Sequence, residues 1–165
     1  LLSAADQLAT DGVPHRVQFA GDVDEALFVD IPPTAERLGY QGRKDLVEAM
    51  RRADVLILPS RHDSFGRVVV EAMATGLPAL VSAHVGAKQA ITEGENGWVV
   101  PADDADALAE QMRWCAEHPE QVAGMQEVAV TAAQDYTWAA YRKRVPDVIG
   151  SITEEESPAL QSDTL

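Results

Sequence analysis

The sequence predicts an α/β fold, a doubly wound parallel sheet with helices on both faces. Three observations predict it. Short apolar runs alternate with longer helical patterns along most of the 165 residues. Several of the short runs are apolar throughout rather than alternating, as strands buried on both faces are. Glycine and proline punctuate the passages between them, most clearly at Gly76 and Pro78.

Taken in order, Leu1–Thr10 is already helical in pattern, with no strand before it. A doubly wound sheet opens with a strand, so the chain is expected to start inside its first βα unit. Strands are expected at Arg16–Ala20, Glu36–Tyr40, Val55–Leu58, Ala79–Ser82 and Trp98–Val100. Helices are expected at Arg43–Ala53, which sets Leu46, Val47 and Met50 on one face, and at Phe65–Thr75, with Ser64 as N-cap and Gly76 as the stop. Ala87–Thr92 reads as a short helix. Asp104–Glu117 opens on the acidic pair Asp103-Asp104, and Pro119–Gln134 and Trp138–Ile149 close a domain over residues 1–150. Ser151–Leu165 is acidic and polar and reads as a disordered tail. In the strand order 3-2-1-4-5-6 the opening strand is the central one. Arg16–Ala20 and Val55–Leu58 are therefore expected to flank a gap, unless another chain fills it or the two strands pair directly.

Composition narrows the functional classes. A net charge of −14 repels phosphate backbones and anionic lipid, so neither nucleic acid nor a membrane surface is an expected partner. No apolar run reaches the ~18 residues of a membrane span, and no basic signal-peptide region opens the chain. Lysine occurs only at positions 44, 88 and 143, and such an acidic, lysine-poor surface fits a salt-rich cytoplasm. Cys115 is the only cysteine, which excludes an internal disulfide; the location expected is a reducing cytoplasm.

The chemistry concentrates in Leu58-Pro59-Ser60-Arg61-His62-Asp63-Ser64-Phe65-Gly66-Arg67-Val68-Val69-Val70-Glu71-Ala72-Met73-Ala74-Thr75-Gly76-Leu77-Pro78. A strand ends at Pro59 and a loop at the C-terminal edge of the sheet leads into a helix. Ligands of open α/β sheets bind at that edge. A helix start offers N–H groups and partial positive charge to a phosphate, and Gly66 removes a side chain where backbone must approach a ligand. Glu71 is set among Val68, Val69, Val70, Ala72, Met73 and Ala74, so the helix is expected to be buried on nearly every face. A buried carboxylate needs partners. Arg67 at i−4 is one candidate, and a pair of vicinal ribose hydroxyls is another. The residues alone leave both open.

This stretch resembles the glutamate-x7-glutamate signature of retaining glycosyltransferases of the GT-B fold, in the large family four. There the loop reads Pro-Ser-x-x-Glu-x-Phe-Gly and the helix Glu-Ala-Met-Ala-x-Gly-x-Pro. Pro59, Ser60, Phe65, Gly66, Glu71, Ala72, Met73, Ala74, Gly76 and Pro78 match. Ala53-Asp54-Val55, Gly94-Glu95-Asn96-Gly97-Trp98-Val99-Val100-Pro101 and Tyr136-Thr137-Trp138 match further family features in the same order, over about residues 16–149. The resemblance implies the C-terminal, donor-binding half of such an enzyme, with a UDP- or GDP-hexose as substrate, a hydroxyl acceptor and retention of configuration. It implies that an N-terminal acceptor-binding domain is missing, so that the isolated chain does not turn over. It implies catalytic positions at Asp63, toward the hexose, and Glu71, toward the ribose. It also implies pyrophosphate contacts by amides near Phe65 and Gly66, at a helix start over Ser64–Arg67, and a base contact near Tyr40-Gln41-Gly42. No metal or cofactor is expected.

Departures from the family matter. Asp63 stands where glutamate is usual, and Arg67 where an apolar residue is commoner. Val85-Gly86-Ala87-Lys88-Gln89-Ala90 replaces Gly-Gly-x-Pro-Glu, one residue shorter and without the acid. The family's phosphate-binding arginine and lysine have no counterpart here, and Arg67 is a candidate to replace them. Such departures leave a second expectation open, a non-catalytic nucleotide-sugar-binding or interaction module. Other features have simpler readings. Asp22-Val23-Asp24 reads as a turn rather than a metal site, Asp103-Asp104 as a helix cap, and Cys115 as a packed thiol. The four histidines lack ligand spacing, and His62 reads as a loop residue beside Asp63. Trp98, Trp114 and Trp138 read as core or domain-edge aromatics.

Overall fold

The computed structural model describes residues 1–22 and 31–155. They form two compact units, Leu1–Ala133 and Gln134–Leu165. The first begins with α1 (Leu2–Thr10), β1 (Val17–Ala20), β2 (Ala35–Gly39), α2 (Arg43–Arg52), β3 (Leu56–Leu58) and α3 (Arg67–Met73). It continues with β4 (Ala79–Ser82), a short 3-10 helix at Gly86–Ala90, β5 (Gly97–Val100), α4 (Ala105–Glu117), α5 (Pro119–Ala123) and α6 (Gln126–Gln134), whose last residue begins the second unit. Among the described residues, the second unit otherwise carries α7 (Trp138–Glu155). All five expected strands form, each within two residues of the expected bounds.

Every strand pair is parallel. Val17 registers with Ala35, Leu56 with Ala79, and Ala79 with Gly97. Helices cover both faces, as the alternation along β3 shows. Val55 and Ile57 pack with α1, Trp98, α4 and α5, around Leu8, Leu80, Leu108 and Met112. Leu56 turns the other way, to Met50, Ala72 and Leu77 from α2, α3 and the turn after α3. β4 lies in the middle of its sheet and is buried at all four residues, which explains the apolar run Ala79-Leu80-Val81, and the buried Ser82 hydroxyl is satisfied by the Ser60 carbonyl.

The strands do not form one sheet. β1 pairs with β2 in one sheet, and β4 pairs with β3 on one side and β5 on the other in a second, separate sheet. Val17 N–H bonds to Thr34 and Leu56 N–H to Pro78, each toward its own sheet. Strand alternation then turns the N–H groups of Gln18 and Ala20, and of Val55 and Ile57, toward the unpaired edges. The expected gap is therefore present among the described residues, and β1 and β3 do not close it by pairing directly. In the chain as described, those four amides should exchange with deuterium at least about a hundredfold faster than Leu80 and Val81 in the middle of β4. Equal protection would mean that the edges are covered.

Four elements differ from expectation. Ser64 does not cap α3. Gly66 stands at the cap with φ 79°, and the helix starts at Arg67. The helix expected at Ala87–Thr92 is a 3-10 turn starting at Gly86, because the first two N–H groups go to the neighbouring loop and Lys88 N–H closes on Val85 at i−3. The helix expected over Pro119–Gln134 breaks at Gly124-Met125, where a helix-weakening glycine precedes a methionine turned into the core. α7 runs on to Glu155, into the stretch read as tail. Ile149 and Ile152 continue the spacing set by Val145, a periodicity the reading as tail passed over. The rest of that tail, and Val23-Asp24 of the Asp-x-Asp turn, lie outside the described residues.

The simpler readings of the remaining features fare as follows. Asp104 caps α4, its Oδ1 accepting from Ala107 N–H at 2.9 Å. Cys115 is partly buried, and burial pushes its thiol up to about 11. Trp98 is buried against the edge of Trp114, on whose ring His118 stacks at 4.5 Å. Trp138 is no core residue; it is 74% exposed and meets Tyr141 edge-on.

Candidate functional site

The loop after β3 and the loop after β4 are laced together at the C-terminal ends of their strands. Asp63 pairs with Val85 as an isolated parallel bridge. Its N–H donates to His84 O at 3.2 Å, and its carbonyl accepts from Gly86 N–H at 3.0 Å. Ala87 N–H donates to Phe65 O at 2.5 Å. Further back, Ser82 Oγ donates to the Ser60 carbonyl and His84 Nδ1 to the Arg61 carbonyl. Arg61 also reaches the loop after β5, pairing with Asp103 at 2.6 Å. Three successive β-to-helix loops thus form one rim.

Two glycines make the lacing possible. Gly66 has a left-handed backbone, and a side chain there would press on Val85 Cγ1 at 2.8 Å. Gly86 lies against the Ser64 carbonyl so closely that a Cβ would overlap it, with Phe65 Cα also at 3.0 Å. The sequence marked Gly66 as a point of close backbone approach. The need for Gly86 was not legible, since it arises from a loop 22 positions away.

The two acids have different surroundings. Asp63 turns its carboxylate back on its own loop, where Oδ1 accepts from Phe65 N–H at 3.0 Å. Glu71 is not buried. α3 buries Val69, Ala72 and Met73 and presents Arg67 and Glu71 outward. The expectation of an all-round buried helix fails because Arg67 and Glu71, one turn apart, open a polar stripe along it. They pair at 2.8 Å, with the Glu71 side chain 47% exposed. Among the alternatives for Glu71, the structure shows the Arg67 pair.

Ser64 and Phe65 are exposed on the rim, whereas Tyr40 and Gln41 follow β2 in the other sheet. Tyr40 is 79% exposed. Gln41 Nε2 donates to Leu38 O at 2.5 Å, fixing the turn into α2. Among the described residues, no three His, Cys, Asp or Glu side chains gather as a metal site would require. No helix of the described residues is long and apolar enough to cross a membrane. Asn96, which the sequence marked only as part of a matched turn, has a bonding role of its own. Buried in the turn before β5, it accepts from Thr92 N–H and donates to Ala90 O.

Comparison with known proteins places this arrangement in a family. The profile of glycosyl transferases group 1 matches residues 1–131. The chain belongs to that family. Its relatives include D-inositol 3-phosphate glycosyltransferases from Corynebacterium urealyticum, 33% identical, and Saccharomonospora viridis, 32% identical. The matches cover 70% and 87% of this chain but 28% and 32% of the relatives. This group 1 chain therefore spans about a third of the length of the curated relatives it matches. Its fold is that of the Rossmann-like C-terminal half of GT-B glycosyltransferases. Sucrose-phosphate synthase from Thermosynechococcus elongatus superposes with a TM-score of 0.74 at 22% identity, over 93% of this chain and 43% of that one. Anabaena HepE, solved with UDP and glucose, superposes at 0.72 and 22% identity, over 90% of this chain and 44% of that one.

Proposed function

We propose that this chain is the donor domain of a retaining hexosyltransferase that uses a UDP- or GDP-hexose and a hydroxyl acceptor. The observation that carries the reading is the laced rim at the ends of β3 and β4, in a chain of the glycosyl transferases group 1 family. The HepE likeness, with UDP and glucose in that protein, supports the same ligand class. On this reading the ribose hydroxyls take Glu71 in exchange for Arg67, and the loop Tyr40-Gln41-Gly42 serves the base. Backbone of the Ser64–Arg67 turn faces the pyrophosphate, with the Phe65 N–H held by the Asp63 carboxylate rather than offered to the phosphate. The departing nucleoside diphosphate gains negative charge as the glycosidic bond breaks, and backbone N–H groups fixed beforehand stabilise that charge without reorganising. Asp63 shapes the hexose end of the rim. The reaction calls for no metal or cofactor, and a cytoplasmic nucleotide-sugar pool is the fitting donor source. The acceptor side belongs to an N-terminal domain that accompanies this one in the whole enzyme.

Thermal denaturation with UDP, UDP-glucose, GDP and GDP-mannose tests the reading. One base series should raise the melting temperature by several degrees at ligand concentrations of about 100 Kd, where binding contributes about 2.7 kcal/mol. The isolated chain should bind but transfer no sugar, while the full-length enzyme does both. Absence of any shift with all four ligands, in both forms, would sink the donor reading.

A further inference from the structure

Asp63 is held on the rim at three of its groups. Its N–H is held by His84, its carbonyl by Gly86 N–H, and its carboxylate by Phe65 N–H. The first two bonds tie the loop after β3 to the loop after β4. The third closes a local turn within the β3 loop, in which a short acidic side chain accepts from the amide two residues on. That turn immediately precedes Gly66, where the backbone goes left-handed and α3 begins. The Phe65 carbonyl on the far side of the turn accepts from Ala87 N–H. One side chain thus sets the direction of Phe65, and Phe65 in turn joins the second loop.

We infer that Asp63 is a positioning residue, acting on the hexose end of the site through the conformation of Phe65 and Gly66 rather than by touching the sugar. The inference rests on the donor reading for its functional consequence, but its structural half stands without ligand. The geometry demands a particular side-chain length. Asparagine presents an oxygen at the same distance and retains the turn. Glutamate carries its oxygens about 1.5 Å farther out, past the amide two residues on. Alanine has no acceptor. A residue that touches the sugar obeys a different rule, because a longer carboxylate retains charge and reach, while asparagine loses the charge.

The experiment compares Asp63→Asn, Asp63→Glu and Asp63→Ala. Deuterium exchange at Phe65 and Ala87 is followed without ligand, and UDP and UDP-glucose affinities are measured by calorimetry, with GDP and GDP-mannose in parallel. Loss of a hydrogen bond to a charged acceptor should speed exchange at Phe65 by about tenfold or more in Asp63→Glu and Asp63→Ala. Asp63→Asn should stay within about threefold of the parent, since its amide oxygen accepts the same bond. Affinity for the nucleotide sugar should fall in that order, the glutamate variant below the asparagine variant. Parent-like exchange in Asp63→Glu overturns the inference, as does a glutamate variant that binds UDP-glucose better than the asparagine variant. Should the parent bind none of the four ligands, the donor reading fails, and the exchange data alone still decide whether Asp63 sets the loop.

Discussion

Glu71→Gln in the full-length enzyme should weaken both the nucleoside diphosphate and the nucleotide sugar by tenfold or more. Two ribose hydroxyls donate to the two oxygens of a carboxylate; amidation leaves one acceptor and removes the charge, so about one hydrogen bond to a charged group, about 1.5–3 kcal/mol, is lost. Both ligands suffer because both carry the ribose. The structure adds a competitor, since Glu71 is paired with Arg67 at 2.8 Å. With side chains 77% and 47% exposed, an i,i+4 pair of this kind contributes only about 0.3–0.5 kcal/mol, so a ligand can displace it at little cost. Arg67→Ala separates two roles for the arginine. If Arg67 meets the diphosphate, affinity falls; if it only holds Glu71 in the empty site, affinity rises slightly or stays level. The double variant completes the cycle and gives the Arg67–Glu71 coupling directly. Calorimetry on the four proteins is the measurement. Unchanged affinities in Glu71→Gln would remove Glu71 from the site and leave it as half of a surface ion pair.

Much of this was legible in the residues for identifiable reasons. Buried parallel strands need apolar side chains on both faces, so Ala79–Ser82 was found at its observed bounds. Asp104 announced a helix start because a cap is a local requirement. The loop and helix of the site came from a dense run of matched residues. What the sequence concealed was whatever depends on partners distant along the chain. Ser64 had every local credential for a cap, but Gly66 takes that place, and the adjoining backbone goes to the loop after β4. Glu71 looked buried because six apolar neighbours surround it in sequence; the helix turns Arg67 and Glu71 outward regardless. The gap between β1 and β3 followed from counting strands against the order of a doubly wound sheet, a topological argument that needs no side chain.

Gly86→Ala should be the most damaging single change on the rim. The added methyl group would occupy the space of the Ser64 carbonyl oxygen and crowd Phe65 Cα. Both obstacles are backbone, so no rotamer change relieves them. The loops after β3 and β4 must separate, and the bonds Asp63 N–H to His84 O, Gly86 N–H to Asp63 O and Ala87 N–H to Phe65 O are lost or stretched. Overpacking of a fitted contact costs about 1–3 kcal/mol before those bonds are counted. For a unit of this size each kcal/mol lowers the melting temperature by about 2–8 °C, so a fall of 5 °C or more is expected. Nucleotide-sugar affinity should fall with it, because the amides near Phe65 and Gly66 lose their support. The stretch Val85–Ala90 lacks the acid of the pattern it resembles, yet it keeps a glycine at the point where the two backbones meet. Packing between loops accounts for that glycine without any ligand. Thermal denaturation and calorimetry of Gly86→Ala, beside the parent, decide the matter: a melting point within 2 °C of the parent and an unaltered affinity would show that the loops are free to part, and that the rim is not the rigid support proposed for the donor.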